Sequence, residues 1–267
     1  QIEINHLKKY SRHMLVLKVV LVILVFIIIT LPLFFVIRFN LNKNITSKAI
    51  NNVNEYKNVN NYLLQITEHN IDFERNTESF HNSKYFYKDN QYKKEMHSET
   101  PGVNIQNADS FEYGNINSKE KVEIIETQKV CYNVKANYIL QKKDGFLDFM
   151  MIALQPFSED YGTLPNIWFQ AGYNLRTDKY NGRKCYVLRL GDKSSYGEIW
   201  IDKEQNTLVR TVDEIYKRSY NEKVYSIKSD VVTNEDVTLP DLTGYTIKDS
   251  EDNVPSEYIG IYEKLGI

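Results

Sequence analysis

The hydropathy pattern divides the chain into an apolar run, a short polar stretch and a long region of alternation. From Met14 to Val36 the run MLVLKVVLVILVFIIITLPLFFV leaves the apolar set only at Lys18, Thr30 and Pro32. The 19 residues from Val19 to Ile37 alone match the roughly 20 needed to cross a hydrocarbon core of about 30 Å. The run is longer than the apolar region of a secretory signal peptide, and no A-x-A cleavage pattern comes after it. A lipobox cysteine is absent, since the first Cys is Cys131. The pattern predicts a transmembrane helix over 14–39. Lys8, Lys9, Arg12 and Lys18 lie on its N-terminal side, against Arg38, Lys43 and Lys48 after it. That small excess predicts a cytoplasmic N-terminus over 1–13 and a signal anchor that exports the C-terminal region. Because Gln1 is not a Met, either processing or further preceding residues are expected.

After the span, NLNKNITSKAINNVNEYKNVNNY is polar and Asn-rich, which predicts a stalk over 40–60. Within it Ile50, Val53 and Tyr56 recur at helical spacing, so a short amphipathic helix is expected to pack on the adjoining domain. From Asn61 onward alternation dominates. NYLLQITEHN opens a series of strands, and SKYFYKDNQYKKEMHS places an Asp89-Asn90 turn between two aromatic-rich arms, a hairpin signal. KVEIIETQKVCYNVKANYIL supplies one or two further strands.

GFLDFMMIALQPF breaks the alternation. Phe146, Phe149, Met150 and Ala153 share a helical face, with Leu147, Met151 and Leu154 beside it, and Pro156 ends the segment. A helix apolar nearly all round must be enclosed. Alternation then resumes. Tyr186, Leu188 and Leu190 oppose Cys185, Val187 and Arg189. Ile199 and Ile201 oppose Trp200, and Leu208, Arg210 and Val212 oppose Thr207, Val209 and Thr211. EKVYSIKSDVVT adds a strand. An antiparallel meander wrapped around the helix is predicted over 61–250, with 251–267 as a C-terminal tail that docks or trails free.

Composition sharpens this picture. Aromatics form 13% of 267 residues, with 20 Tyr and 12 Phe against five Ala, which favours strands over helices. The 27 Asn, and 25 Lys against 8 Arg, point to an AT-rich, bacterial genome. Beyond residue 40 there are 28 basic and 34 acidic residues, the opposite of a nucleic-acid-binding footprint.

Candidate chemistry is sparse. No Gly-rich phosphate loop, G-x-S-x-G elbow, H-E-x-x-H helix or C-x-x-C pair is present, so no catalytic residue is assigned and no enzyme activity is expected. Asp202, Glu204 and Asn206 alternate like the start of a calcium loop. Thr207 stands where that loop needs Gly, however, and Asp213 where it needs Glu, so a solvated hairpin turn is the better reading. His69, His81 and His97 lack regular ligand spacing, and neither metal nor cofactor is expected. The acid pairs Glu159-Asp160 and Glu251-Asp252 fit solvated loops. Cys131 and Cys185 are a possible disulfide of an external domain, closing a loop of some 54 residues worth about 3–4 kcal/mol; two buried thiols are the alternative.

YNGRKCYVLRL, YGEIWIDKEQNTLVRTV and NEDVTLPDLTGY resemble strand signatures of the lipoprotein-carrier superfamily, LolA/LppX-like, over roughly Asn61 to Thr246. The resemblance implies an α+β, mainly β fold: a curved open antiparallel sheet, or half-barrel, around one or two helices, here behind a transmembrane helix. It further implies an apolar cavity for acyl chains. Two functions are therefore expected. One is a hydrophobic-ligand-binding external domain, with lipid or a lipoprotein acyl chain between sheet and helix. The other is an envelope sensor or protein-interaction ectodomain with a filled core. Candidate cavity residues are Phe146, Phe149, Met150, Met151, Leu154, Trp168, Phe169, Tyr186, Leu188 and Trp200. The expected partners are the membrane, through Met14–Phe39, and a lipid, lipoprotein or envelope protein. The expected location is the cell membrane, crossed once, with the C-terminal domain outside.

Overall fold

The computed structural model describes residues 2–101, 108–142, 144–157 and 170–252. The first element, α1 (Ile2–Lys57), runs through the apolar segment and the polar stretch without a break. From Leu33 to Lys57 there is neither Gly nor Pro to stop it. Thr46 returns its hydroxyl to the Asn42 carbonyl at 2.8 Å, so the polar side chain is satisfied within the helix rather than competing with it. The segment expected as a separate stalk helix is therefore the last turns of α1. Its Ala49 and Val53 are fully buried, and Ile45, Ile50 and Tyr56 pack beside them. The apolar segment itself stands exposed, and it is the one described helix long and apolar enough to cross a membrane.

Twelve strands come next: β1 (Asn61–Asp72), β2 (Thr77–Lys88), β3 (Gln91–Glu99), β4 (Ala108–Asn115), β5 (Glu120–Ile125), β6 (Val130–Ala136), β7 (Asn174–Tyr180), β8 (Arg183–Gly191), β9 (Ser195–Asp202), β10 (Leu208–Ile215), β11 (Ser219–Ser229) and β12 (Thr246–Asp252). They form one open sheet in the order β12-β6-β5-β4-β3-β2-β1-β11-β10-β9-β8-β7. Two antiparallel meanders, β1 to β6 and β7 to β11, meet where β1 pairs with β11. One contact departs from the expected antiparallel pattern, because β12 lies parallel to β6. Turn chemistry agrees with the sequence. Asp89 and Asn90 both take positive φ, at 47° and 70°, as do Asn181 and Gly182 between β7 and β8, the geometry of tight two-residue hairpins.

The chain must cross from β6, next to one edge of the sheet, to β7 at the other, and this crossover carries α2 (Gly145–Leu154) over the inner face. Phe146, Leu147, Met150 and Leu154 are buried there. They share one core with Tyr62, Leu64, Tyr85, Tyr87 and Tyr92 from the first meander and Leu188, Ile199, Ile201 and Leu208 from the second. Strands so far apart in the order meet over one helix only because the sheet is strongly curved. The outer face holds smaller clusters, one around Tyr113, Ile124 and Cys131, the other around Cys185, Val187, Trp200 and Val209. A short capped helix, α3 (Asn234–Val237), precedes β12; Thr233 and Asp236 form its reciprocal capping box.

The cysteines take the second of their two readings, and two expectations need correction. Cys131 and Cys185 are free buried thiols. They sit on β6 and β8, second and eleventh in the strand order, in separate clusters, and burial pushes both thiols above their ordinary titration range. The simple alternation read along LVRTV fails at a register shift between Leu208 and Arg210. Leu208 packs inward, while Val209 and Arg210 both lie against Trp200 on the outer face. Such a bulge leaves no mark in hydropathy. Lastly, α2 is not enclosed, since Phe149 and Ile152 are 43% and 63% exposed.

Candidate ligand cleft

The exposed edge of α2 borders a cavity of about 600 Å³ on the inner face of the sheet, within the range typical of small-ligand sites. Its upper wall is Phe149, Ile152 and Ala153 of α2, and its sides are Ile66, Tyr85, Ile199, Tyr173 and Tyr225. Period-two alternation explains the sheet contribution. Ile66 lies opposite Tyr225 and Ser83 at one level, and Ile199, opposite Thr211, lies at the next inward-facing level, in line with Lys223 and Glu68, so neighbouring strands present all of these residues on the same face.

Beyond the Ile66 level the floor becomes polar. Glu68 and Lys223 are cross-strand partners with their charged ends 3.4 Å apart. Asn221 donates to the Glu68 carboxylate at 2.7 Å and also to Asn70. Burial alone would push Glu68 up, but these hydrogen bonds and the Lys223 charge hold it below the usual carboxylate range. Asp213 shows the reverse: its desolvation raises it, and Lys223 offsets this only in part. Burial also lifts the Tyr85 and Tyr173 phenols to about 12 and raises Tyr225. All three therefore stay neutral hydroxyls near pH 7. The cleft is thus amphipathic, with an aliphatic and aromatic wall under α2 and a charged, hydrogen-bonding floor at the other end.

Of the residues expected to line a cavity, Phe149 does so. Phe146, Met150, Leu154 and Leu188 belong to the filled core beside the cleft, with Met151 packed against them. Tyr186 shares the inner-face register of Leu188 but lies under the Lys203 ammonium, 4.5 Å from the ring centroid, away from the cleft. Trp200 faces the opposite side of the sheet, as its alternation with Ile199 and Ile201 requires. There its indole N–H donates to Glu198 at 2.9 Å, and the Arg210 and Arg176 guanidinium groups lie 4.9 and 5.3 Å from its ring centroid. Trp168 and Phe169 fall outside the described residues, as does the Glu159-Asp160 pair. Ile66, Glu68, Asp213 and Lys223 were missed, although the alternation of NYLLQITEHN and EKVYSIKSDVVT puts Ile66 with Glu68, and Lys223 with Tyr225, on one face.

The other candidate chemistry is structural. Asp202 accepts from the backbone N–H groups of Glu204 and Gln205 at 2.8 and 3.0 Å, closing the β9–β10 turn. His69, His81 and His97 each pair separately across strands, with Glu78, Ser98 and Asp109.

An open half-barrel with one helix laid across its inner face and a cleft beside that helix is the class that the geometry defines. No family model matches the sequence, and no curated protein matches it. Among solved structures the chain is similar to a chain of the Pseudomonas aeruginosa MucA/MucB complex, at 9% identity and a TM-score of 0.35. That match covers 74% of this chain and 61% of the other, so the chain spans under two thirds of that relative. It is also similar to the Mycobacterium tuberculosis lipoprotein LppX (9% identity, 73% and 98% covered, TM-score 0.37). A LolA superfamily protein from Nitrosomonas europaea matches at 8% identity, with 72% and 97% covered and a TM-score of 0.26. At these scores any functional reading rests on the cleft.

Proposed function

We propose that the protein is a membrane-anchored binding domain that takes the aliphatic chain of a lipid or lipoprotein into the cleft beside α2. One observation carries this reading: two large apolar side chains, Phe149 and Ile152, stay exposed over a cavity of about 600 Å³ while Phe146, Leu147, Met150 and Leu154 of the same helix are buried. An alkyl chain laid along Ile152, Ile199 and Tyr225 would gain about 0.8 kcal/mol per methylene removed from water, before the cost of ordering it. The floor of Glu68, Asn221 and Lys223 would hold a polar head. Binding rather than catalysis is part of the proposal, because these polar groups are engaged with one another. The anchor is α1, whose uncharged stretch from Val19 to Ile37 is long enough to span.

A sensing role is favoured by a second observation. Ala49 and Val53 of α1 share their core with Met150 and Leu154 of α2, so an occupant of the cleft would press on the helix that leads into the bilayer.

The test uses the full chain in nanodiscs with a diazirine-bearing fatty acid. Irradiation and then peptide mapping should place adducts in 149–157 and 219–229, and Ile152→Glu should reduce them about tenfold, the effect of a buried charge worth 1.4 kcal/mol or more. Adducts confined to the apolar part of α1, and unchanged by Ile152→Glu, would end the ligand proposal.

A further inference from the structure

The junction between α1 and the sheet fixes which end of the half-barrel faces the bilayer. Arg38, the residue after the apolar stretch, donates to the Tyr173 carbonyl at 2.6 Å and to the Asn174 side chain at 2.7 Å. One turn later Asn42 donates to the Gln170 and Tyr173 carbonyls at 2.9 and 3.1 Å. At the other end Asn52 reaches the Gln205 carbonyl, in the β9–β10 turn, at 3.3 Å. From Arg38 to Asn52 the helix rises about 21 Å, close to the roughly 23 Å of strand from Ser195 to Asp202. Hence α1 runs alongside β9, and the end of the sheet that carries Asn174 lies at the level where the span ends.

The pairing extends that end into a continuous rim. Asn174 is level with Arg189, Gly191 with Tyr196, Ser195 with Ile215, and Ser219 with Asp72. The Phe73 amide donates to the Arg218 carbonyl at 2.8 Å, tying the β1–β2 turn to the β10–β11 turn. The rim presents Phe73, Ile215 and Tyr216 at 50%, 51% and 66% exposure, beside Lys193 and Lys217 and the ion pairs Arg75–Asp72 and Arg218–Glu74 at 3.7 and 3.1 Å. Aromatic residues beside basic ones are the composition of the membrane–water interface.

Backbone strain marks the same spot. Tyr216 and Lys217 both take positive φ, at 46° and 56°, where the equivalent β7–β8 turn uses Asn181 and Gly182. A bulky aromatic residue there costs conformational energy that Asn-Gly would avoid.

We infer that this rim, with Tyr216 and Phe73 at its tips, docks on the surface of the bilayer that α1 crosses. The polar end of the cleft opens on the same side. Asp213 stands two residues from Ile215, and Gly197 two from Ser195, so the mouth meets the headgroup layer and the apolar wall under α2 lies farther from it. A lipid could then pass between bilayer and cleft without crossing water. This inference rests on the proposed anchor and specifies what that anchor achieves.

The experiment uses the full chain in nanodiscs of phosphatidylcholine and phosphatidylglycerol doped with a headgroup-spin-labelled lipid. Reporter variants are Tyr216→Trp and Phe73→Trp at the rim and Asn181→Trp at the opposite end, each corrected for the unsubstituted protein. Rim reporters should be quenched at least about twofold more than the Asn181→Trp reporter, as interfacial side chains are. Equal or negligible quenching at both rim sites, in a chain that co-elutes with the nanodiscs, overturns the docking and leaves the anchor standing. A chain that does not co-elute defeats the anchor and the docking together. Phe73→Trp keeps the test decisive should the strained turn reject Tyr216→Trp.

Discussion

At the scale of single residues the core carries a few polar atoms whose situation alternation alone would not disclose. Tyr62 is fully buried, its ring 5.1 Å from that of Tyr87, and its hydroxyl has no hydrogen-bond partner among the described residues. An unsatisfied buried hydroxyl bears its whole desolvation penalty, whereas an apolar group of the same shape bears none. Tyr62→Phe is therefore expected to stabilise the protein by about 1 kcal/mol, seen as a higher denaturant midpoint with an unchanged slope. A loss of stability would mean that the hydroxyl is bonded after all. Tyr92 makes the contrast, since its hydroxyl donates to Glu112 at 2.8 Å, and Glu112 in turn holds Lys121 at 2.9 Å. Removing that hydroxyl would strip a partner from a buried carboxylate, so the same Tyr→Phe change has opposite expected signs at two positions of one face.

At the scale of elements, α2 divides its apolar residues between two tasks. Phe146 is 1% exposed and packs edge-on against Tyr92 and tilted against Tyr85, at 5.3 and 4.9 Å between ring centroids. Phe146→Ala should cost about 3–5 kcal/mol, as cavity-forming changes at buried aromatic sites do. Ile152→Ser, on the exposed edge of the same helix, should stay within about 0.5 kcal/mol. Chemical denaturation of both variants checks the division, and a large loss at Ile152 would mean that the edge is core and not cleft. This division bounds what was legible in the sequence. The helix, its end at Leu154 shortly before Pro156, the hairpin at Asp89-Asn90 and the inward sets Leu188 and Ile199 with Ile201 come from period and turn chemistry. β7 escaped because NLRTDKY is a polar edge strand whose sides are mostly exposed. The parallel pairing of β12 escaped because pairing partners distant in sequence leave no periodic trace. For the cleft, period names the face of each strand but not which strands a curved sheet brings together. Phe149 could thus be suspected, while Glu68, Asp213 and Lys223 converge only once β1, β10 and β11 are known to be neighbours.

At the scale of the whole molecule the consequence lies in how the apolar helix joins the half-barrel. A flexible polar stalk would let the sheet tumble at the end of its tether. Instead α1 continues into the core, and its first turns beyond the apolar stretch are fastened by Arg38 and Asn42 to the carbonyls at the start of β7. Asn42 and Thr46 are buried there, so water does not replace the bonds cheaply. Replacing both donors, Arg38→Ala with Asn42→Ala, removes the charge-assisted hydrogen bonds of Arg38 and the two neutral ones of Asn42, worth more than about 1.4 kcal/mol together by ordinary magnitudes. Amide hydrogen exchange in residues 42–53 should accelerate at least about tenfold, while the amides of β1 and β11, paired along their whole length, keep their protection. Unchanged exchange in 42–53 would show that the buried faces of Ala49 and Val53 alone hold helix to sheet. In that case the proposed orientation of the rim toward the bilayer would rest on packing rather than on the bonds of Arg38 and Asn42, and the double variant would leave rim quenching intact.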